Sequence, residues 1–232
     1  MWRHALICVL ILSISAAPAV AADWTWPERM KIGGVTVANI RGSVNADGSG
    51  TATGKVQAVD VGVRLVRSAR GEISGSGAVS FGMGGAEIQG MGVVGSGGFR
   101  VTGSVQGSVK TITDAAMSVN DEGRIQGSGR VFLGGLVAPV SFNISRSGFT
   151  YRGSVPVEAQ SNTPLALYNF KGSINLDGGV GRLGLVASGT VVRKGKLADQ
   201  TTNHSVSGIA INLSDGSGSA DVSGVRIRFK FF

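Results

Sequence analysis

Apolar and polar residues alternate with period two along most of this chain, the signature of half-buried β-strands. Phe99, Val101, Gly103, Val105, Gly107 and Val109 share one strand face, and Arg100, Thr102, Ser104, Gln106, Ser108 and Lys110 take the other. The same split recurs in Ile125, Gly127, Gly129, Val131 and Leu133, and in Phe149, Tyr151, Gly153, Val155 and Val157. It returns at the end in Val225, Ile227, Phe229 and Phe231. One face is apolar and rich in glycine, the other polar and cationic, as in antiparallel strands with one solvated side. No segment sustains a 3.6-residue period, so no helix is predicted.

Turn chemistry punctuates the strands. Asn45-Ala46-Asp47-Gly48, Asn120-Asp121-Glu122-Gly123, Asn175-Leu176-Asp177-Gly178 and Ser214-Asp215-Gly216 each place residues suited to positive φ between strand-like runs, and each predicts a hairpin. Their uneven spacing points to a meander rather than a fixed-period solenoid. The polar stretches 159–164 and 197–204 predict loops, and 82–98 predicts either a tight strand pair or a glycine-rich loop. The strand vocabulary is the same throughout, so residues 23–232 read as one domain. The expected fold is all-β, an antiparallel meander of hairpins forming a curved sheet or β-sandwich. An apolar groove remains if nothing covers the apolar face.

Composition narrows the class. Glycine supplies 38 of 232 residues, which excludes a helical bundle, since each interior helical glycine costs about 1 kcal/mol relative to alanine. Hydrophobic residues at 42% need burial and exclude a disordered chain, while five prolines without a Gly-X-Y period exclude collagen.

The N-terminus reads as an export signal. A positive start, Met1-Trp2-Arg3-His4, leads into the apolar run Ala5–Ile14, and Ala19 and Ala21 give the A-x-A arrangement of a cleavage site. Residues 1–22 are expected to leave as a signal peptide, and an uncleaved anchor is the alternative. Cys8, the one cysteine, leaves with them, so the mature chain carries no disulfide and no thiol chemistry. The expected location is the bacterial periplasm or outer membrane.

Catalytic groupings are weak. After the signal one histidine remains, His204, beside Ser205 in a polar stretch, with Asp199 and Asp215 nearby in sequence. A Ser-His-Asp hydrolase needs that base oriented by a carboxylate and a nucleophile on a defined turn. No G-x-S-x-G run supplies one, and a solvent-exposed loop histidine is the expectation. Gly90-Met91-Gly92-Val93-Val94-Gly95 fits G-x-G-x-x-G, but no helix follows to receive a pyrophosphate. Asn45–Gly50 resembles a calcium loop without the closing bidentate glutamate, because Val56 stands there. No catalytic, metal or cofactor site is predicted, and the chain reads as non-enzymatic.

Charge bears on partners. Losing Arg3 leaves 21 basic against 14 acidic residues, a net of +7. Export argues against nucleic acid, and aromatics at 6% give no base-stacking platform. Anionic lipid headgroups, envelope polysaccharide or an envelope protein are the expected partners, with membrane association among the possibilities. The C-terminal Val225–Phe232 resembles the last strand of an outer-membrane barrel, but its apolar set is in phase with Phe231 instead of the terminal Phe232.

Ile32-Gly33-Gly34-Val35-Thr36-Val37-Ala38-Asn39-Ile40-Arg41-Gly42-Ser43-Val44, with the recurring Gly-Ser-Val/Ile and Asp-Gly steps down to Asp177-Gly178, resembles the β-repeat regions of the AsmA-like family, which includes TamB-type envelope proteins. The resemblance implies a long curved sheet with a hydrophobic groove and a part in lipid transport to the outer membrane. The alternation leads to the same place without the family: the expected function is that of a non-enzymatic exported envelope protein that binds or passes lipid or holds an envelope partner, with Phe99, Val101, Val105, Val131, Leu133, Phe149, Tyr151 and Val155 as the apolar ligand face. The alternatives are a structural or adhesive surface protein and a small outer-membrane barrel.

Overall fold

A computed structural model describes residues 24–197, 200–206 and 209–232. The expected signal segment with Cys8, and also Asp199, lie outside them. The described residues form seventeen strands: β1 (Arg29–Ile32), β2 (Val35–Val44), β3 (Gly50–Val56), β4 (Val61–Arg67), β5 (Ile73–Met83), β6 (Ala86–Gly95), β7 (Gly98–Gln106), β8 (Thr111–Val119), β9 (Ile125–Leu133), β10 (Leu136–Ser145), β11 (Gly148–Asn162), β12 (Ala166–Gly179), β13 (Arg182–Gly195), β14 (Thr201–Val206), β15 (Ala210–Ile211), β16 (Ser217–Val222) and β17 (Val225–Lys230). Strands β1 to β14 pair in sequence order as one antiparallel meander, and β15 to β17 form a second sheet. The all-β reading stands.

Period two becomes sidedness. In β4, Val61, Val63 and Leu65 are buried while Gly62, Arg64 and Val66 are exposed. Register then aligns like with like: Ile88 faces Val105, Val94 faces Phe99, and Ile144 faces Phe149. The inner face fills a single hydrophobic cluster that also takes in Ile227, Phe229 and Phe231 of the small sheet. Outside, Arg41, Thr53, Arg64, Ser76, Val93 and Arg100 form one register row.

A fourteen-strand open sheet does not stay flat. Two register shifts bend this one, between Ala38 and Arg41 in β2 and around Asp114 in β8. At each a polar residue takes positive φ, Asn39 at 53° and Asp114 at 48°, and such bulges increase local twist. Glycines also pair across strands, Gly90 with Gly103 and Gly172 with Gly189, where an added Cβ would strike neighbouring backbone. Much of the glycine content serves close packing and curvature.

Three of the four anticipated hairpin turns form where expected, with Gly48, Gly123 and Gly216 amides donating to Asn45, Asn120 and Asn212 carbonyls, each at 3.0 Å. The fourth does not. Asn175–Gly178 continues β12, and the chain reverses at Val180-Gly181. Asp177 there lies opposite Arg152 and pairs with it at 3.8 Å, while Gly178 leaves room for the Tyr151 ring. Strand β7 ends at Gln106, so Gly107 to Lys110 is a turn and Val109 is exposed, off the apolar face. Strand β11 runs through most of the expected 159–164 loop, and β14 claims Thr201 to His204 from the other. The stretch 82–98 is the strand pair, closed at Gly84-Gly85.

Candidate functional site

The eight residues of the expected ligand face lie together on the inner side of β7, β9 and β11, and none is more than 8% exposed. Phe149 stacks on Tyr151 with ring centroids 5.4 Å apart and meets Phe142 edge-on at 6.4 Å. None of the eight lines the notch described below. Burial pushes the Tyr151 phenol upward in pKa, and its hydroxyl finds no hydrogen-bond partner among the described residues. The face packs against itself.

The seal is made by turns. The winding brings turns from one end of the strands against turns from the other end, five strands further along. Gly33 of the β1–β2 turn abuts Gly95 and Gly98 at the β6–β7 turn so closely that a Cβ would collide with both backbones. Gly123 of the β8–β9 turn lies against Ala58 of the β3–β4 turn, and Gly84 of the β5–β6 turn against Ser145 and Gly148 at the β10–β11 turn. Gly181 N of the β12–β13 turn donates to Ser108 Oγ of the β7–β8 turn at 2.7 Å. The β1–β2 and β5–β6 turns each also reach a second turn, seven strands along. Lys31, beside the β1–β2 turn, pairs with Asp121 of the β8–β9 turn at 3.5 Å, and Gly85 meets Val180. The two rows of turns interlock like a zip.

Both ends of this seam are distinct. At the start, Arg67 donates to Gly48 O and stacks on Trp24 at 4.2 Å, while Trp26 Nε1 donates to Ser43 O at 3.1 Å. Beside them a notch of about 760 Å³ opens between the β4–β5 and β6–β7 turns, with Met30, Ile73 and Val93 in its apolar lining and Lys31, Glu72 and Arg100 around it. At the far end the small sheet covers the core. Phe229 and Phe231 each approach Phe170 to 5.7 Å between centroids, and Phe232 lies against Gly134 and Gly135 of the β9–β10 turn.

His204 stands on β14 and is half-buried, a correction to the exposed-loop expectation, because register places it on the inner side opposite Val191. Its Nε2 meets Thr202 Oγ1 and its Nδ1 meets Ser223 Oγ, both at 3.0 Å, which ties β14 to the β16–β17 turn. Its hydrogen bonds go to hydroxyls; Asp215 Oδ1 instead accepts from Ser217 N at 2.9 Å. The calcium-like loop closes by turn chemistry, Asp47 Oδ1 accepting from Ser49 N at 2.9 Å and Ser49 Oγ at 2.6 Å. Gly90–Gly95 lies within β6. Among the described residues no three His, Cys, Asp or Glu side chains cluster as metal ligands.

Sequence reasoning passed over the notch. Its residues come from separate hairpins, and the available signal was an apolar side chain out of phase, such as Val93 on the polar side of β6. The fold and these features define a wound all-β meander with a self-packed core. No protein family, curated protein or solved structure matches the chain.

Proposed function

We propose that this protein is a non-enzymatic, exported structural or surface protein of the bacterial envelope. The observation that carries the reading is the closed core: Phe99, Val101, Val105, Val131, Leu133, Phe149, Tyr151 and Val155 spend their apolar surface on one another. Supporting it, the signal-like N-terminus and the resemblance to AsmA-like β regions favour the envelope. The outward rows of Ser, Thr, Gln and Arg are the reverse of the apolar band a membrane barrel presents to lipid. They suit an aqueous compartment and contact with anionic envelope surfaces. A lipid carrier of the expected kind would have to open this core to admit a ligand.

Cell fractionation followed by native mass spectrometry tests the reading. The protein should leave the periplasm without detergent, shortened by its first 21 or 22 residues, at the bare polypeptide mass. An adduct in the phospholipid range would restore the lipid-carrier reading, and retention of the full-length chain in the cytoplasm would overturn export.

A further inference from the structure

On the outer side of the large sheet, strand cations are matched in one region and left unmatched in another. From β8 to β12 each outward strand cation has its carboxylate: Arg130 meets Asp114 at 3.6 Å, Arg152 meets Asp177 at 3.8 Å and Lys171 meets Glu158 at 3.0 Å. From β2 to β7, Lys55 pairs with Asp60, and Arg67 is committed to Gly48 O and Trp24. Arg41, Arg64 and Arg100 are exposed, and none of them is ion-paired among the described residues. Register sets these three in one row, with Thr53 between the first two and Ser76 and Val93 between the second and third. The row continues past Arg100 through Ser118, Gln126, Asn143 and Thr150, and from β2 to β11 it holds no carboxylate. Glu87, the one carboxylate in strands β2 to β7 among the described residues, lies about 20 Å along β6 from Val93.

We propose that this row is a binding track for a linear acidic polysaccharide whose sugars carry carboxylates. The inference names a partner for the envelope-surface reading and rests on it. A matched ion pair neutralises itself, whereas an unmatched row of one sign draws a polyanion. Neighbouring strands lie about 4.8 Å apart, so the backbones of Arg41 and Arg64 stand about 10 Å apart and those of Arg64 and Arg100 about 14 Å. A chain of acidic sugars presents anions repeatedly along its length and meets such intervals without a fixed register. Each guanidinium takes a carboxylate through two parallel N–H donors. Between and beyond them, the hydroxyls of Thr53 and Ser76 and the amides of Gln126 and Asn143 face solvent and match sugar hydroxyls as donors and acceptors. Shape separates this partner from a bilayer. The sheet is wrapped around its own core, so its outer side is convex and the row curves away from a flat surface, while a flexible chain follows it. No aromatic side chain stands in the row from Arg41 to Thr150, so it offers no stacking platform for the bases of a nucleic acid.

Isothermal titration of the purified mature chain with an alginate oligomer, a linear polyuronate, tests the track. Binding should be seen at low salt and weaken as salt rises. Combining Arg41→Gln, Arg64→Gln and Arg100→Gln should lower the affinity by about tenfold or more. A charge-matched control, Arg130→Gln, Arg152→Gln and Lys171→Gln, should stay within about threefold of wild type, because those cations are already engaged. All six side chains are exposed, so both triple variants should keep the wild-type melting curve. A wild-type chain that gives no binding at low salt overturns the proposal. Equal weakening in the two triple variants reduces the effect to net charge and also overturns it. So does binding to phosphatidylglycerol vesicles through the three arginines with none to alginate, which would assign the row to a bilayer. The titration runs on purified protein, so the two readings fail separately. An exported, bare protein that ignores alginate defeats the track alone, and a full-length cytoplasmic chain defeats the envelope reading whatever the titration gives.

Discussion

Asp47 and Asp215 do the same work in different turns. The Ser49 hydroxyl and amide hold the Asp47 carboxyl below the ordinary carboxylate range, and the Ser217 amide and hydroxyl do so for Asp215. At Asp221 the cause is the Arg226 guanidinium, which donates from Nη2 at 2.8 Å. A carboxyl with a lowered native pKa stabilises the fold above its unfolded value, and that contribution is lost as pH falls through the native value. The thermal midpoint should therefore drop on acidification below about pH 4. In an Asp47→Asn, Asp215→Asn double variant the drop should be shallower, and melts with the same acid slope as wild type would contradict this origin. At this scale the sidedness of Phe99, Val105 or Phe149 was legible from period two alone. What they face was not, because alternation assigns a side and says nothing of the partner. Coverage by distant strands of the same sheet has no local signature.

Turns decide the architecture at the level of elements. Gly33 has φ of 59° and Gly84 has φ of 58°, and at both a Cβ would run into the backbone of the opposing turn. Gly33→Ala and Gly84→Ala should each cost about 2 kcal/mol or more, from left-handed strain plus overpacking. Gly62→Ala, on the exposed side of β4 with open space around it, should stay within about 0.5 kcal/mol of wild type. Urea unfolding of the three variants separates the cases, and equal losses would deny the turns any mutual contact. The Asn45, Asn120 and Asp215-Gly216 turns were readable because turn chemistry is local. Asn175–Gly178 misled because the same residue types met strand needs, an ion pair to Arg152 and clearance for Tyr151. The bulges at Asn39 and Asp114, which help bend the sheet, look in sequence like ordinary polar strand positions.

For the whole molecule, one sheet supplies most of both wall and filling. Bulges and paired glycines bend the meander, the bend brings the two rows of turns together, and the small C-terminal sheet closes the far end over Phe170. The alternation foretold a curved antiparallel sheet, but a groove and a closed coil share one residue pattern, and only contacts between distant turns separate them. Lys31 and Asp121 form the ion pair that spans the seam, with both side chains accessible to reagent. Zero-length carbodiimide coupling followed by peptide mapping reads it directly. A wound sheet gives a Lys31–Asp121 link within the monomer, formed alongside the neighbouring-strand link of Lys171 to Glu158. A map that holds the neighbouring-strand link but never joins Lys31 to Asp121 would mean the sheet lies open and the apolar face is free after all.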